Sequence, residues 1–150
     1  VEGNEVEISQ VEVASAEAQK IAPGKQLVTS NFQVADVKKP LLSVKRIVQR
    51  GNLVQFGDRP GESSIYNKES QKKLMLHKTG RGSYVLLGQF VRGDRTEATV
   101  ESAAEESVCP PWWGQQFGIN QTNYQLNLID AQGNGIRHYG ERIVRVSSPF

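Results

Sequence analysis

The chain has 150 residues, room for one domain with a real core and too little for two. Its 37% of hydrophobic residues, with 14 Gly and 6 Pro, describe a soluble globular protein rich in turns. A net charge of +2 with scattered basic residues gives only a weak nucleic-acid footprint, the single Cys109 excludes an internal disulfide framework and a cysteine zinc site, and no apolar run approaches the roughly 18 residues of a membrane span.

In chain order, "NEVEISQVEVASAEAQK" alternates Val6 and Ile8, then Val11 and Val13, with polar residues. That pattern predicts a strand or two with a slip in register, running into a small-residue stretch open to helix, and "IAPGK" marks a turn. The acidic, alternating start is unlike a signal peptide, and the compartment is left open. "QLVTSNFQVADV" predicts a strand marked by Val28, Phe32 and Val34. Pro40 opens "PLLSVKRIVQRGN", where Leu41, Leu42, Val44, Ile47 and Val48 fall near helical spacing. Proline in the first turn and Gly51 just past the end predict a helix between them.

From Leu53 the pattern becomes a meander: "LVQFG", "SSIYN", "KKLMLH" and "SYVLLGQFV" are short β-type runs separated by turn-forming segments. "TEATVES" predicts a further strand, and "EESVCPPWWGQQFG" a short irregular helix interrupted by Pro110 and Pro111. "YQLNLIDA" and "GIRHYGERIVRVSS" predict strands flanking "AQGNG", a hairpin tip with the turn signal Asn134-Gly135. The class is mostly β with about two short helices.

The stretch "TVESAAEESVCPPWWG" (99–114) places an acid, a serine and two small residues at the end of an extended run. Alone, a Glu-Ser pair there is an ordinary solvated turn. It gains meaning from three companions: a glycine-tipped hairpin downstream, a strand ending "QVADV", and a proline-initiated helix followed by "GNLVQFG". Together with "VESAAEESVCP" (100–110), "LIDAQGNGIRHYGERIV" (128–144), "SPF" (148–150), "NFQVADVKKPLLSVKRIVQRGNLVQFG" (31–57), "SSIYN" (63–67), "KLMLHKTG" (73–80) and "SYVLLGQFV" (83–91), they give the chain its resemblance. It resembles the retropepsin-like aspartic protease domains of retroelement polyproteins, particularly those of dinoflagellate algae.

The resemblance implies a closed β fold of acid-protease type, and two departures qualify it. The first is order. Residues 31–91 match the family's C-terminal half, residues 97–150 match its N-terminal half, and 92–96 ("RGDRT") tether them, while residues 1–30 have no counterpart. Either the domain is circularly permuted, or the fold is assembled across chain copies, as in family homodimers whose terminal strands interleave.

The second departure is chemical. In the family, each subunit supplies one Asp, followed by Ser or Thr and then Gly. The two carboxylates share a proton and activate water, their like charges pushing the two pKa values apart. The hydroxyl braces the loop, and the glycine permits close backbone approach. The matched residues here are Glu101, Ser102 and Ala103. Glu101 carries its charge on a side chain one methylene longer, and Ala103 adds a Cβ whose backbone preference or bulk resists the site. The elbow therefore reads as disabled. The hairpin matches the family's substrate-covering flap, with Gly133, Asn134, Gly135 and Ile136 at its tip.

Other chemistry is weaker. Asp36, Asp58, Asp94 and Asp130 lack the Ser/Thr-Gly that would follow a catalytic acid, so turn and capping roles are expected. Cys109 precedes two prolines and reads as a small buried hydrophobe, and His77 and His138 lack the spacing of a metal pair. "WWG" (112–114) reads as core before binding platform, "RGD" (92–94) as a solvated turn, and "NQT" (120–122) as a glycosylation pattern that matters only in a secretory setting. No metal or cofactor is expected.

The function expected from these residues is a non-catalytic retropepsin-fold module that binds a protein or peptide partner or serves as an accessory subunit of a larger complex. The alternatives are an active aspartic endopeptidase working as a homodimer, and a peptide-binding module using the old substrate cleft.

Overall fold

Two strands from opposite ends of the sequence make the longest ladder. In the computed structural model, which describes residues 25–149, strand β1 (Gln26–Ala35) runs antiparallel to strand β12 (His138–Ser148). Their register extends from Gln26↔Ser148 to Ala35↔His138, with a bulge between Val34 and Ala35. β1 turns Val28, Phe32 and Val34 to the core, and β12 turns Val144 and Val146 to it, as period-2 side chains on a half-buried sheet must. The strands predicted within residues 1–13 lie outside the described residues.

The remaining strands are β2 (Leu41–Ser43), β3 (Asn52–Gln55), β4 (Ser64–Asn67), β5 (Lys73–Met75), β6 (His77–Lys78), β7 (Tyr84–Phe90), β8 (Arg95–Glu101), β9 (Val108–Cys109), β10 (Leu128–Ile129) and β11 (Gly135–Ile136). The main sheet has the order β12-β1-β9-β2-β8-β7-β6, and β12 also pairs with β7 through Val146↔Phe90 and Ser147↔Gln89. The pairing therefore closes on itself within one chain. β3-β4-β5 form a second sheet, and β10-β11 a small hairpin. The protein is mostly β, as its sequence predicts.

In the stretch 92–96, residues 92–94 form a turn, and Arg95 and Thr96 already belong to β8. The Gly93 N–H donates to Phe90 O at 2.9 Å and the Phe90 N–H to Asp94 O at 2.9 Å, which makes a tight β7–β8 hairpin with "RGD" at its turn. The segments before and after it interleave in the same ring.

Inside the ring, Phe32 and Phe90 meet Trp113 edge-on at 5.0 and 5.1 Å between centroids. The Trp113 Nε1–H donates to Thr96 Oγ1 at 2.8 Å, so the buried indole also satisfies its polar edge. "WWG" thus divides: Trp113 is core, whereas Trp112 is 60% exposed.

Three predicted elements are corrected. The proline-initiated helix is shorter than its periodicity implies: Leu41–Ser43 is strand β2, and helix α1 spans only Val44–Gln49. Cross-strand pairing of β2 on both sides overrides local helical spacing, and Ser43 becomes the N-cap. The segment predicted as an irregular helix contains strand β9 and a single 3-10 turn, Gln115–Phe117. Pro110 and Pro111 follow Cys109 directly and stop any helix from forming across it. At the hairpin tip, the positive backbone angle belongs to Gly133 (φ 88°) and not to Asn134. Residues 130–134 form a longer loop around Asp130, whose Oδ1 accepts from the Gln132 and Asn134 N–H groups at 2.9 Å each.

Candidate functional site

β8 and β9 follow one another in the chain, yet they are not neighbours in the sheet. β2 lies between them, parallel to β8 (Leu41↔Thr99, Leu42↔Val100, Ser43↔Glu101) and antiparallel to β9 (Leu41↔Val108). Residues 102–107 must therefore cross the C-terminal end of β2. That crossing is the elbow singled out in the sequence.

Ser43 fastens it. This residue has no solvent exposure, its hydroxyl donates to Ala104 O at 2.7 Å, and its N–H donates to Ser107 Oγ at 3.0 Å. The same hydroxyl oxygen accepts from the Arg46 N–H at 3.2 Å and so caps α1. One serine thus joins the elbow to the helix, a role that the sequence pattern alone does not reveal. Ser43→Ala is expected to lose about 1–3 kcal/mol, because Ala104 O and the Arg46 N–H both lose a partner. Urea unfolding checks this; a loss under about 0.5 kcal/mol, the range of a neutral surface change, would contradict it.

Two ion pairs hold the far arm of the elbow to α1. Lys45 Nζ meets Glu105 Oε1 at 2.7 Å, and Arg46 pairs with Glu106. The hydrogen bond from Lys45 lowers the Glu105 carboxyl below its usual range.

Glu101 ends β8 half-buried, with Ser102 and Ala103 exposed beyond it. Its Oε2 accepts from the Ala103 N–H at 3.4 Å. Among the described residues, Gln71 and Arg92 are the non-glycine positions with positive φ, so Ala103 adopts its conformation without left-handed strain. The backbone resistance expected of alanine is absent at this elbow. Glu101 and Ser102 border an open depression of about 290 Å³ whose aromatic wall is Phe56 and Tyr84, 4.6 Å apart between centroids.

The hairpin residues Gly133, Asn134, Gly135 and Ile136 do not line that depression. They extend from a small ladder, Leu128↔Ile136 and Ile129↔Gly135, with Ile129 67% exposed. Hydrogen bonds from the loop N–H groups, that of Asn134 foremost, lower the Asp130 carboxyl below its usual range.

A polar relay at the hairpin's base, running from buried Gln33 and His138 to half-buried Glu141 and exposed Tyr124, was not anticipated. The Leu126 N–H donates to His138 Nδ1 at 3.4 Å, which leaves the ring proton on Nε2 to donate to Gln33 Oε1 at 2.7 Å. Gln33 Nε2 in turn donates to Glu141 Oε2 at 3.3 Å, and the Tyr124 hydroxyl donates to the same oxygen. That hydrogen bond to Glu141 is the main reason the Tyr124 phenol titrates above its usual range. The signal lay in the β1–β12 register, which makes Gln33 and Glu141 partners; no spacing within either segment discloses it.

The other candidates have structural roles. Asp36 Oδ1 accepts from the Tyr139 hydroxyl at 2.8 Å, Asp58 pairs with Lys78 at 2.6 Å, and Asp94 belongs to the β7–β8 turn. Cys109 is fully buried, and that burial pushes its thiol up to about 12, against the opposing pull of Arg142. His77 is exposed on β6, and the described residues contain no cluster of three or more metal-ligating side chains. No helix among them is long and apolar enough to cross a membrane.

No family profile, curated protein or solved structure matches this chain.

Proposed function

We propose that this chain is a catalytically silent domain of retropepsin-like fold, its halves in exchanged order, that acts as a binding or structural module for a protein or peptide partner. Glu101 carries the reading. It stands where the resembled family has aspartate, and its carboxylate hydrogen-bonds the Ala103 N–H of its own loop. A catalytic carboxylate displaced by about 1 Å costs about 10²-fold in rate, and a dyad built from two copies would apply that error twice. The fold reading draws support from packing: segments that the family carries in the opposite order lie side by side in one closed ring, and β2 is inserted between the arms of the elbow.

The test is peptide turnover. Wild type and Glu101→Gln are incubated with extended peptides across mildly acidic to neutral pH, and cleavage is followed by mass spectrometry. Both are expected to match the uncatalysed background. Cleavage by wild type that vanishes in Glu101→Gln would overturn the silent reading and establish the runner-up, an aspartic endopeptidase working as a dimer.

A further inference from the structure

The second sheet ends on β5, which pairs with β4 alone among the described residues. Around β5, the Lys72 carbonyl accepts from the Asn67 N–H at 2.9 Å, and the Leu76 N–H donates to Ser63 O at 2.9 Å. Backbone groups alternate in direction along a strand, so Lys73 and Met75 turn their N–H and C=O away from β4. Their side chains are exposed, Met75 by 38%, while Leu74 between them is buried. An open edge of this kind is a template for a further strand.

Charge, pattern and position fit one occupant. Residues 68–78 carry four lysines against one acid, Glu69, and the described residues offer Lys72 and Lys73 no ion pair. Lysines on an edge discourage most incoming strands and favour an acidic one. The run "EVEISQVEV" (5–13) holds Glu5, Glu7 and Glu12 and no lysine or arginine. Its start, Glu5-Val6-Glu7-Ile8, alternates polar and apolar as Lys73-Leu74-Met75 alternates exposed and buried. Side by side, the glutamates fall next to Lys73 and the apolar residues next to Leu74. Gln26, the first residue of β1, donates from Nε2 to Lys73 O at 3.0 Å, so the chain enters β1 beside this edge. The Lys73 N–H and both Met75 groups are left for a strand. Residues 14–24 can span up to roughly 35 Å, ample to bring residues 5–13 back along β5.

From the open edge, its lysines and the point where the chain enters β1, we propose that the acidic run 5–13 docks on β5 of its own chain as a fourth strand. Cross-strand pairs of opposite charge hold it in place, and the docked run closes the edge to other chains. The edge shares no residue with the Glu101 depression, so the proposal goes beyond the reading of the elbow and is tested without peptide turnover.

The test attaches a nitroxide spin label to Asn4→Cys in the full chain; the fully buried Cys109 escapes labelling. The amide signals of residues 73–75 are expected to broaden. They are expected to stay sharp when labelled, unenriched chain is mixed with unlabelled, nitrogen-15 chain. In Glu5→Lys/Glu7→Lys, the Met75 amide is expected to exchange with solvent at least about 5-fold faster than in wild type, as attractive cross-strand pairs become repulsive. Adding Lys72→Glu/Lys73→Glu to that variant is expected to restore slow exchange. Sharp signals at 73–75 in the labelled chain, a Met75 change under about 2-fold, or no recovery on charge exchange would overturn the proposal. Broadening that arises only in the mixture would give the edge to a second copy and overturn docking within one chain.

Discussion

Replacing Arg142 with methionine is expected to destabilise the protein by about 2 kcal/mol or more, since a buried acceptor left without a donor, here the Trp113 carbonyl, costs about 1–3 kcal/mol and the part-buried Pro111 and Gly118 carbonyls add to it. Arg142 points inward from β12 and is only 3% exposed. Its Nε donates to Gly118 O at 2.8 Å, and its Nη1 to Pro111 O at 3.1 Å and Trp113 O at 2.5 Å. These carbonyls belong to the proline-rich segment after β9, where prolines and a short 3-10 turn leave backbone acceptors without regular partners. Methionine fills similar space and supplies no donors, which separates hydrogen bonding from packing. Arg142→Lys keeps the charge but loses the planar fork, so it should fall between wild type and methionine. Denaturant midpoints order the three proteins; a methionine variant within about 0.5 kcal/mol of wild type would contradict this role.

Phe32→Ala is expected to cost about 3–5 kcal/mol, the range for truncating a buried phenylalanine. Phe32 is 2% exposed and packs against Trp113 across the ring. Because β1 precedes the β7–β8 turn and Trp113 follows it, the contact joins the two sequence halves. Phe32→Ala should therefore lower the unfolding midpoint and weaken the near-ultraviolet signal of Trp113 together. A change in one without the other would show that the halves do not share a core. Phe32→Leu, which keeps most of the apolar volume, should recover a large part of the loss.

The strands were legible where alternation and turn residues agree. β1, β4, β7 and β12 fall within predicted runs and β8 begins one residue before its own, because apolar residues recur along each and turn-forming residues punctuate the ends. The failures share a cause. Leu41 and Leu42 carry helical spacing, yet they are claimed by β8 and β9, strands that arrive more than fifty positions later in the chain. Val108 and Cys109 are too few to show a period, and their strand character comes from parallel pairing with Gln33 and Val34. Asn134-Gly135 is a sound two-residue turn signal, but Asp130 satisfies the loop N–H groups and widens the turn.

The candidate site was legible in part. Its acid and its serine could be named from the letters, whereas the hairpin expected to cover it does not line the depression beside Glu101. Ser43 could not be named, because its function is to touch Ala104 and Ser107 across the crossing. The relay from His138 to Tyr124 was equally hidden: its members meet only once β1 and β12 are in register. Local chemistry shows in a sequence, whereas the partner of a buried polar group depends on the ring closing.

The central proposal is that residues 101–103 correspond to a retropepsin-type elbow whose acid is displaced by one methylene. The measurement that tests it most directly is peptide cleavage by the double variant Glu101→Asp/Ala103→Gly beside wild type, at concentrations high enough for two copies to meet. The account predicts that the double variant cleaves extended peptides at least about 10²-fold faster than wild type, the cost of about 1 Å of misplacement recovered. A folded double variant as inert as wild type would contradict it.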